Sequence, residues 1–567
     1  MLGHGLDRER GVAARADRPR NLKSVQDSQP RRRPAAIVVG SASVWMAAAG
    51  NAPLWRELQS LGLLQATGGW LLTLTLGGML AAALFGLLSL VAWRPVLKPA
   101  IVLLLFASAL GGYFMWTYHV VIDPPMATNT LQTDWHEASA LMTPRLALVV
   151  LLGAALPSWL VWKTSVDHRP WKRQALRNLV GAGASLAILV GLLLLSFQPL
   201  ASTMRNHKEL RYLLNPLNSL YAFGETAFGR QRAKGGLLPV GRDAHLLAAA
   251  GARPRMLVLV LGETGRSGNF GVNGYARDTT PQLAQTSAVS FRNAWSCGTS
   301  TAASVPCMFS PLGREGYLAR QQDSETLLDV LQHAGLAVLW IDNQPGGCKG
   351  VCDRVPMVNT SATPDPALCP KGECRDEVLL KGLDERVSSL PQDKRRHGVV
   401  LVMHQMGSHG PAYAERTPQA FKRFLPECTS SHLPDCSSEQ LRNAYDNTIV
   451  YTDHVLGATI GWLQTRSDYD TALLYVSDHG ESLGENNLYL HGLPYALAPD
   501  VQKHVPWITW LSPGFAQQAG LSARCLRARA DERITHDHLF HSVLGLMQVG
   551  TSAYQRSLDA YAACPAA

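Results

Sequence analysis

The first half of this 567-residue chain has no cysteine; all ten lie from Cys297 to Cys564. Thiols confined to one half and falling into close pairs point to disulfides in an oxidising compartment. The spacing predicts the bridges Cys297–Cys307, Cys348–Cys352, Cys369–Cys374 and Cys428–Cys436, leaving Cys525 and Cys564 as a fifth pair. Zinc knuckles are the rival use of the middle pairs, Cys348 with Cys352 and Cys369 with Cys374, but they belong to reducing compartments. A cleavage pattern is also missing: residues 1–33 are polar, Arg-rich and too long for a signal peptide. Nor is there a nucleic-acid-binding motif. The net charge of +9 sits largely in the tail and short loops, which makes it a topology signal.

What is present divides the chain. Five apolar runs, at about 35–55, 70–93, 99–118, 146–162 and 179–197, each approach the ~20 residues that cross a bilayer as a helix. Arg94 and Lys98 lie between the second and third runs. Lys163, Arg169, Lys172, Arg173 and Arg177 lie between the fourth and fifth. The other loops carry little besides Arg56 and Arg145. The N-terminus is therefore cytoplasmic, and an odd number of crossings exports everything after about residue 198. The expected layout is a basic cytoplasmic tail (1–34), a five-helix membrane domain (35–198), an interfacial helix and linker (199–252) and an exported domain (253–567). Within the third part, Asn206 to Ala222 has amphipathic spacing interrupted at Asn215-Pro216.

The exported half reads as α/β. Met256–Leu261, Ala337–Ile341, Val399–Met403 and Thr471–Val476 are short, continuous apolar runs, each followed by polar residues and helical sequence. Such runs predict a parallel sheet with helices on both faces and ligands at the strands' carboxyl ends. Glu263, Asp478 and His479 fall at such ends, with His409 and His491 close behind. Carboxylates and imidazoles arriving from separate strands make a zinc shell with an open position. Beside them in sequence character stands Ser296-Cys297-Gly298-Thr299-Ser300-Thr301, running on to Pro306-Cys307. Small residues let a ligand approach the backbone, and a helix N-terminus favours phosphate. Zinc would lower the pKa of a threonine hydroxyl and make it a nucleophile. Spacing alone does not choose between Thr299 and Thr301. His409 and His491, with Lys349, could hold phosphate oxygens or protonate a leaving group.

These segments resemble the bacterial inner-membrane phosphoethanolamine transferases, which include lipid A-modifying and mobile colistin-resistance enzymes. The carrying residues are Gly262-Glu263-Thr264-Gly265-Arg266, the Cys297–Cys307 loop, Cys348-Lys349-Gly350-Val351-Cys352-Asp353, His404-Gln405-Met406-Gly407-Ser408-His409-Gly410-Pro411, Ser477-Asp478-His479-Gly480-Glu481 and His491-Gly492. The resemblance implies an alkaline phosphatase/sulfatase-like fold and one tightly bound zinc, with a second as an option. It implies phosphatidylethanolamine as donor and a lipopolysaccharide phosphate, foremost lipid A, as acceptor. Thr301 matches the nucleophile, and Glu263, Asp478 and His479 match the zinc ligands that join it. His409 and His491 match a pair facing substrate or a second metal, and Asn343 and Lys349 match phosphate contacts. Asn129 and Glu137 match donor-binding residues of the long loop between the third and fourth runs. From composition alone that loop reads as merely solvated. The stretch Asp342 to Gly347 departs from the family pattern, as does the long tail.

Other readings remain at this point. Relatives modify core sugars or periplasmic glucans instead. A phosphoglycerol transferase would also combine five crossings with a threonine, but without the rich disulfides. A sulfatase would carry a Cys-x-Pro-x-Arg setting, which is absent. A non-catalytic zinc-binding scaffold would lack a ligand, and none is missing.

Overall fold

A computed structural model describes residues 32–65, 69–133, 135–232, 236–247, 251–344, 346–360, 365–369 and 373–566, leaving the side chains of 136, 137 and 229–232 undescribed. The basic tail 1–31 lies outside the described residues. Among the described residues, five helical segments are long and apolar enough to cross a membrane: Ala35–Ser60, Gly69–Leu90, Leu97–Tyr118, Pro144–Lys163 and Trp171–Leu195. The last begins well before the apolar run that announces it. Lys172, Arg173 and Arg177 thus sit in its first two turns. Their long stems can lie along the helix while the charges stay at the interface. Exposed tryptophans ring the bundle: Trp70 and Trp116 at one end, Trp159, Trp162 and Trp171 at the other, as at membrane–water boundaries.

The first span is two helices, Ala35–Ala48 and Ala52–Ser60. Between them Gly50 lies so close to the third span that a Cβ there would collide with Ser108 Oγ. Asn51, fully buried, fills the break. Its Nδ2 donates to Met46 O at 2.9 Å and to Asn215 O at 2.5 Å, while its Oδ1 accepts from Asn215 N at 2.9 Å. Asn215 Nδ2 in turn donates to Gly50 O and Ser108 O. The amphipathic stretch around Asn215-Pro216 is therefore not one surface helix. A 3₁₀ turn, Lys208–Leu213, precedes this buried amide plug, and an α-helix, Leu217–Arg232, follows it.

The exported domain is built on an eight-stranded sheet. Its strands in chain order are β1 (Arg255–Gly262), β2 (Val289–Trp295), β3 (Ala337–Asp342), β4 (Met357–Asn359), β5 (Gly398–His404), β6 (Asp470–Ser477), β7 (His504–Leu511) and β8 (Ile534–Thr535). They are arranged β8-β2-β7-β6-β1-β5-β3-β4. All run the same way except β7, which is antiparallel to β2 and β6. The four predicted strands are the neighbours β6-β1-β5-β3 at the centre. Alternate residues of β1 feed two cores, Leu257, Leu259 and Leu261 on one face and Met256, Val258 and Val260 on the other. Burial on both faces is why these strands read as continuous apolar runs.

All ten cysteines are bridged. Cys297 joins Cys307, Cys348 joins Cys352, Cys369 joins Cys374 and Cys428 joins Cys436, the four pairs that the spacing predicts. Cys525 and Cys564, the leftover pair, close a fifth bridge across 39 residues. With every sulfur in a disulfide, none of these cysteines is left to ligate zinc, which removes the knuckle reading of Cys348, Cys352, Cys369 and Cys374. The bridges also differ in what they fasten. Cys369, Cys374 and Cys428 are buried in the core on one face of the sheet, and Cys436 packs against that core half-buried. Cys348 and Cys352 belong to the core on the other face.

Replacing Asn51 by Leu leaves the Asn215 C=O buried without its donor, while the Asn215 N–H keeps only Leu213 O, a loss of about 1–3 kcal/mol. We expect a lower thermal midpoint for the detergent-solubilised protein, read by tryptophan fluorescence, with the zinc content of the exported domain unchanged.

Candidate metal and phosphoryl-transfer site

Register fixes the heart of the site. Gly262 of β1 pairs with Ser477 of β6, so Glu263 and Asp478 leave the sheet side by side. Leu261 pairs with His404 of β5, and His404 with Asp342 of β3, which brings the next residues of those strands to the same edge. The loop after β2 supplies the helix Thr301–Met308, and Thr301 is its first residue. Glu263, Thr301, Asp478 and His479 are all buried, none more than 5 % exposed.

The two hydroxyls that the sequence leaves undivided differ in surroundings. Thr299 Oγ1 donates to Leu493 O at 2.6 Å, and Gly492 N donates to Thr299 O at 2.7 Å, so Thr299 ties its loop to the His491 loop. Thr301 Oγ1 instead lies 2.9 and 3.1 Å from the Glu263 oxygens and 3.5 Å from His479 Nε2. His479 Nε2 is 3.2 Å from Glu263 Oε1 and 3.5 Å from Asp478 Oδ2. Its Nδ1 donates to Gly480 O at 2.8 Å, which leaves Nε2 as the atom with a free lone pair. Asp478 Oδ1 accepts from the backbone N–H groups of Thr264 and His479, while Oδ2 is buried without a partner.

The donors fit a zinc ion. Glu263, Asp478 and His479 each offer an atom within 4.8 Å of the others. Metal–donor distances near 2.0–2.1 Å imply tetrahedron edges of about 3.3 Å. The Thr301–Glu263, Thr301–His479, His479–Glu263 and His479–Asp478 contacts are already 2.9–3.5 Å long. Their titration points the same way. Burial opposes ionisation of Glu263, but the His479 hydrogen bond and the charges of His479, His409 and His491 hold its carboxyl far below the usual range. Burial and the Glu263 charge raise Asp478 to about 7. Burial would lower His479, yet Asp478 and Glu263 raise it to about 10. A cation belongs among these carboxylates.

A second group of side chains borders the first. The His491 ring centroid lies 4.4 Å from that of His479 and 5.3 Å from that of His409. His491 Nδ1 meets Glu481 Oε1 at 3.1 Å, and burial lowers its pKa. Leu490 and Leu493, on either side of this histidine, pack into clusters shared with the membrane domain through Tyr113, Tyr118 and Val121. Arg145 adds polar contacts to His432 at 2.9 Å and Asp435 at 2.8 Å across the same seam. Both partners lie inside the short loop that the Cys428–Cys436 bridge closes. The site therefore opens where the two domains meet.

Other expected residues are placed differently. Asn343 commits its amide to structure: Nδ2 donates to Cys374 O and Asp376 Oδ1, and Oδ1 accepts from Thr360. The Cys369–Cys374 bridge thus anchors the carbonyl that holds Asn343 away from the metal cluster. The next residue, Gln344, which sequence reasoning passed over, donates from Nε2 to Glu263 Oε2 at 2.7 Å. Glu481, part of the motif, carries no role in the sequence reading, and Asp376 was missed; Asp376 accepts from the N–H groups of Met406 and Gly407 and shapes the turn behind Glu263. Gly407 has φ +55°, and a Cβ there would meet Glu263 O at 2.6 Å. The signal for Gln344 was present in the departure of residues 342–347 from the family pattern. Lys349, whose Nζ lies against Gly346, borders a cavity of about 680 Å³. That cavity is also lined by Ala302 and Pro306 beside Thr301, by Thr128 and Gln132 of the membrane-loop helix Pro124–Gln132, and by Glu225. Asn129 lies on that same helix, and the side chain of Glu137 lies outside the described residues.

Two family models match the chain. The phosphoethanolamine transferase EptA/EptB family matches residues 80–229 and the sulfatase family matches residues 255–549. The chain is 42 % identical over 480 residues to phosphoethanolamine transferase EptA of Escherichia coli K12, covering 82 % of this chain and 85 % of that one. It is 37 % identical to phosphatidylethanolamine transferase Mcr-1 of Escherichia coli, covering 90 % and 95 %. The integral membrane protein lipooligosaccharide phosphoethanolamine transferase A of Neisseria meningitidis superposes with a TM-score of 0.89 at 35 % identity, covering 95 % of this chain and all of that one.

The geometry makes zinc retention divisible. After dialysis of purified protein, Asp478→Asn and His479→Ala should be zinc-deficient by elemental analysis. Gln344→Ala, which frees a ligand's outer oxygen, should weaken zinc about tenfold. Thr299→Val and Asn343→Ala should keep the full metal content.

Proposed function

Because the chain belongs to the phosphoethanolamine transferase family, we propose that it carries phosphoethanolamine from phosphatidylethanolamine to a phosphate of lipid A. Thr301 is the nucleophile, and Glu263, Asp478 and His479 with Thr301 hold the zinc. The observation that carries this reading is Thr301 Oγ1, buried at 2.9 Å from a carboxylate of the metal cluster. A helix N-terminus, two neighbouring imidazoles and a membrane seam surround it. When bound, zinc stabilises the threonine alkoxide and offsets negative charge on the transferring phosphoryl group.

The chain's own residues then divide two displacements. In the first, Thr301 Oγ forms a bond to the donor phosphorus and the bond to the diacylglycerol oxygen breaks. The leaving oxygen takes a proton and diacylglycerol departs. In the second, an oxygen of the acceptor phosphate attacks the same phosphorus, and Thr301 Oγ leaves. The acceptor gains phosphoethanolamine, and its charge falls by the amine it now carries. His409 and His491 stand on the open side of the cluster, suited to hold phosphoryl oxygens or move the leaving-group proton. Burial lowers the pKa of His491, which suits it to accept a proton. Gln344 holds the outer oxygen of Glu263 and so the angle at which that carboxylate meets the metal. Lys349 borders the route from the membrane-loop helix, which carries Asn129, to the start of the Thr301 helix, and we read the 680 Å³ cavity as the donor's approach.

Lipid A from Gram-negative cells expressing wild type should gain the phosphoethanolamine mass, and cells expressing Thr301→Ala should not. Unmodified lipid A with modified core sugar would move the acceptor. Modification by both variants would remove the covalent step. Gln344→Ala should retain the product at a rate lowered about tenfold, because it positions a ligand without being one.

A further inference from the structure

The opposite end of the membrane domain contains a second cavity, about 480 Å³, between the starts of the first and fifth spans and the end of the second. Its apolar wall includes Val39, Phe85 and Val180, and its polar rim includes Arg169, Arg177 and Asn178. Asn178 is only 5 % exposed. Its Oδ1 accepts from Gln174 Nε2 at 2.8 Å, but its Nδ2 is buried with no hydrogen-bond partner. Such a donor, held inside a cavity, awaits an acceptor oxygen.

Charge says which kind of acceptor. Arg169 faces Asp167 at 3.2 Å, which cancels one guanidinium. Arg177 has no carboxylate partner among the described residues and is exposed at the cavity's rim. Arg94, Lys98, Lys172 and Arg173 occupy the same cytoplasmic end. The wall is open to the bilayer: Leu176 and Val180, both lining it, are 64 % and 61 % exposed. A site with a lipid-facing apolar wall, a cationic rim and an unmet amide N–H suits a phospholipid with net negative charge.

We propose that this crevice binds one anionic phospholipid of the cytoplasmic leaflet. Its phosphate lies between Arg169 and Arg177, and a headgroup or ester oxygen accepts from Asn178 Nδ2. The lipid completes the packing where the Arg33–Pro34 strand meets Val166–Asp167, on the face of the membrane remote from the zinc.

Native mass spectrometry of the full-length protein in detergent, titrated with phosphatidylglycerol or phosphatidylcholine, tests it. One phosphatidylglycerol should be retained. Arg177→Gln should lower its affinity about fivefold, the worth of one cation beside a headgroup, and Asn178→Leu should lower it too. Zinc content and transfer activity should not change. Arg173→Gln removes the same charge from the same end without lining the cavity, and should leave affinity within about twofold. Equal losses in Arg173→Gln and Arg177→Gln, or equal retention of phosphatidylcholine, would overturn the proposal.

Discussion

Two carboxylates, Glu263 and Asp478, are forced together in a dry place, and the rest of the molecule answers to that. Like charges within 4.8 Å of each other repel by about 3–4 kcal/mol even at an effective dielectric of about 20. The sheet register that pairs Gly262 with Ser477 gives them no way to separate. A cation resolves the conflict, and His479 is oriented by Gly480 O to share it. Thr301 joins them from the first turn of a helix, its hydroxyl 2.9 Å from Glu263. The site is thus a demand for positive charge that the fold creates and the metal meets.

The sheet's centre was legible because strands buried on both faces are apolar without interruption. Its edges were not. His504–Leu511 carries Pro506 and a register shift between Val505 and Trp507, which disguise a strand running against its neighbours. Val289–Trp295 mixes exposed Arg292 with buried Phe291, and its apolar content is too thin to declare it. The cluster of Glu263, Asp478 and His479 was legible as strand ends. The short-range disulfides were legible too, because bridges such as Cys369–Cys374 and Cys428–Cys436 close loops that sequence distance alone brings together. Choosing Thr301 over Thr299 needed the family resemblance, since only three-dimensional placement shows that one hydroxyl closes a loop and the other faces a carboxylate. Asn343 and Gln344 present the reverse case: one residue of difference in where β3 ends hands the inward position to the neighbour. In the membrane half, hydropathy located five spans, yet the polar residues most committed to structure, Asn51 and Asn215, lie in the gaps that hydropathy skips.

The seam between domains explains why lipids can be both substrates. His491 sits between two leucines that pack on the membrane domain, and the helix bearing Thr301 borders a cavity shared with the membrane loop. Contacts on both flanks hold the Thr301 hydroxyl and its neighbours against the membrane domain. A headgroup needs only to rise into the seam, with its chains left in the bilayer.

The Cys297–Cys307 bridge spans Thr301. Its oxidation is available only once that stretch has been exported, so the chain cannot finish its own reactive loop during synthesis. Export thereby acts as a clock. The loop around Thr301 is covalently closed only on the far side of the membrane.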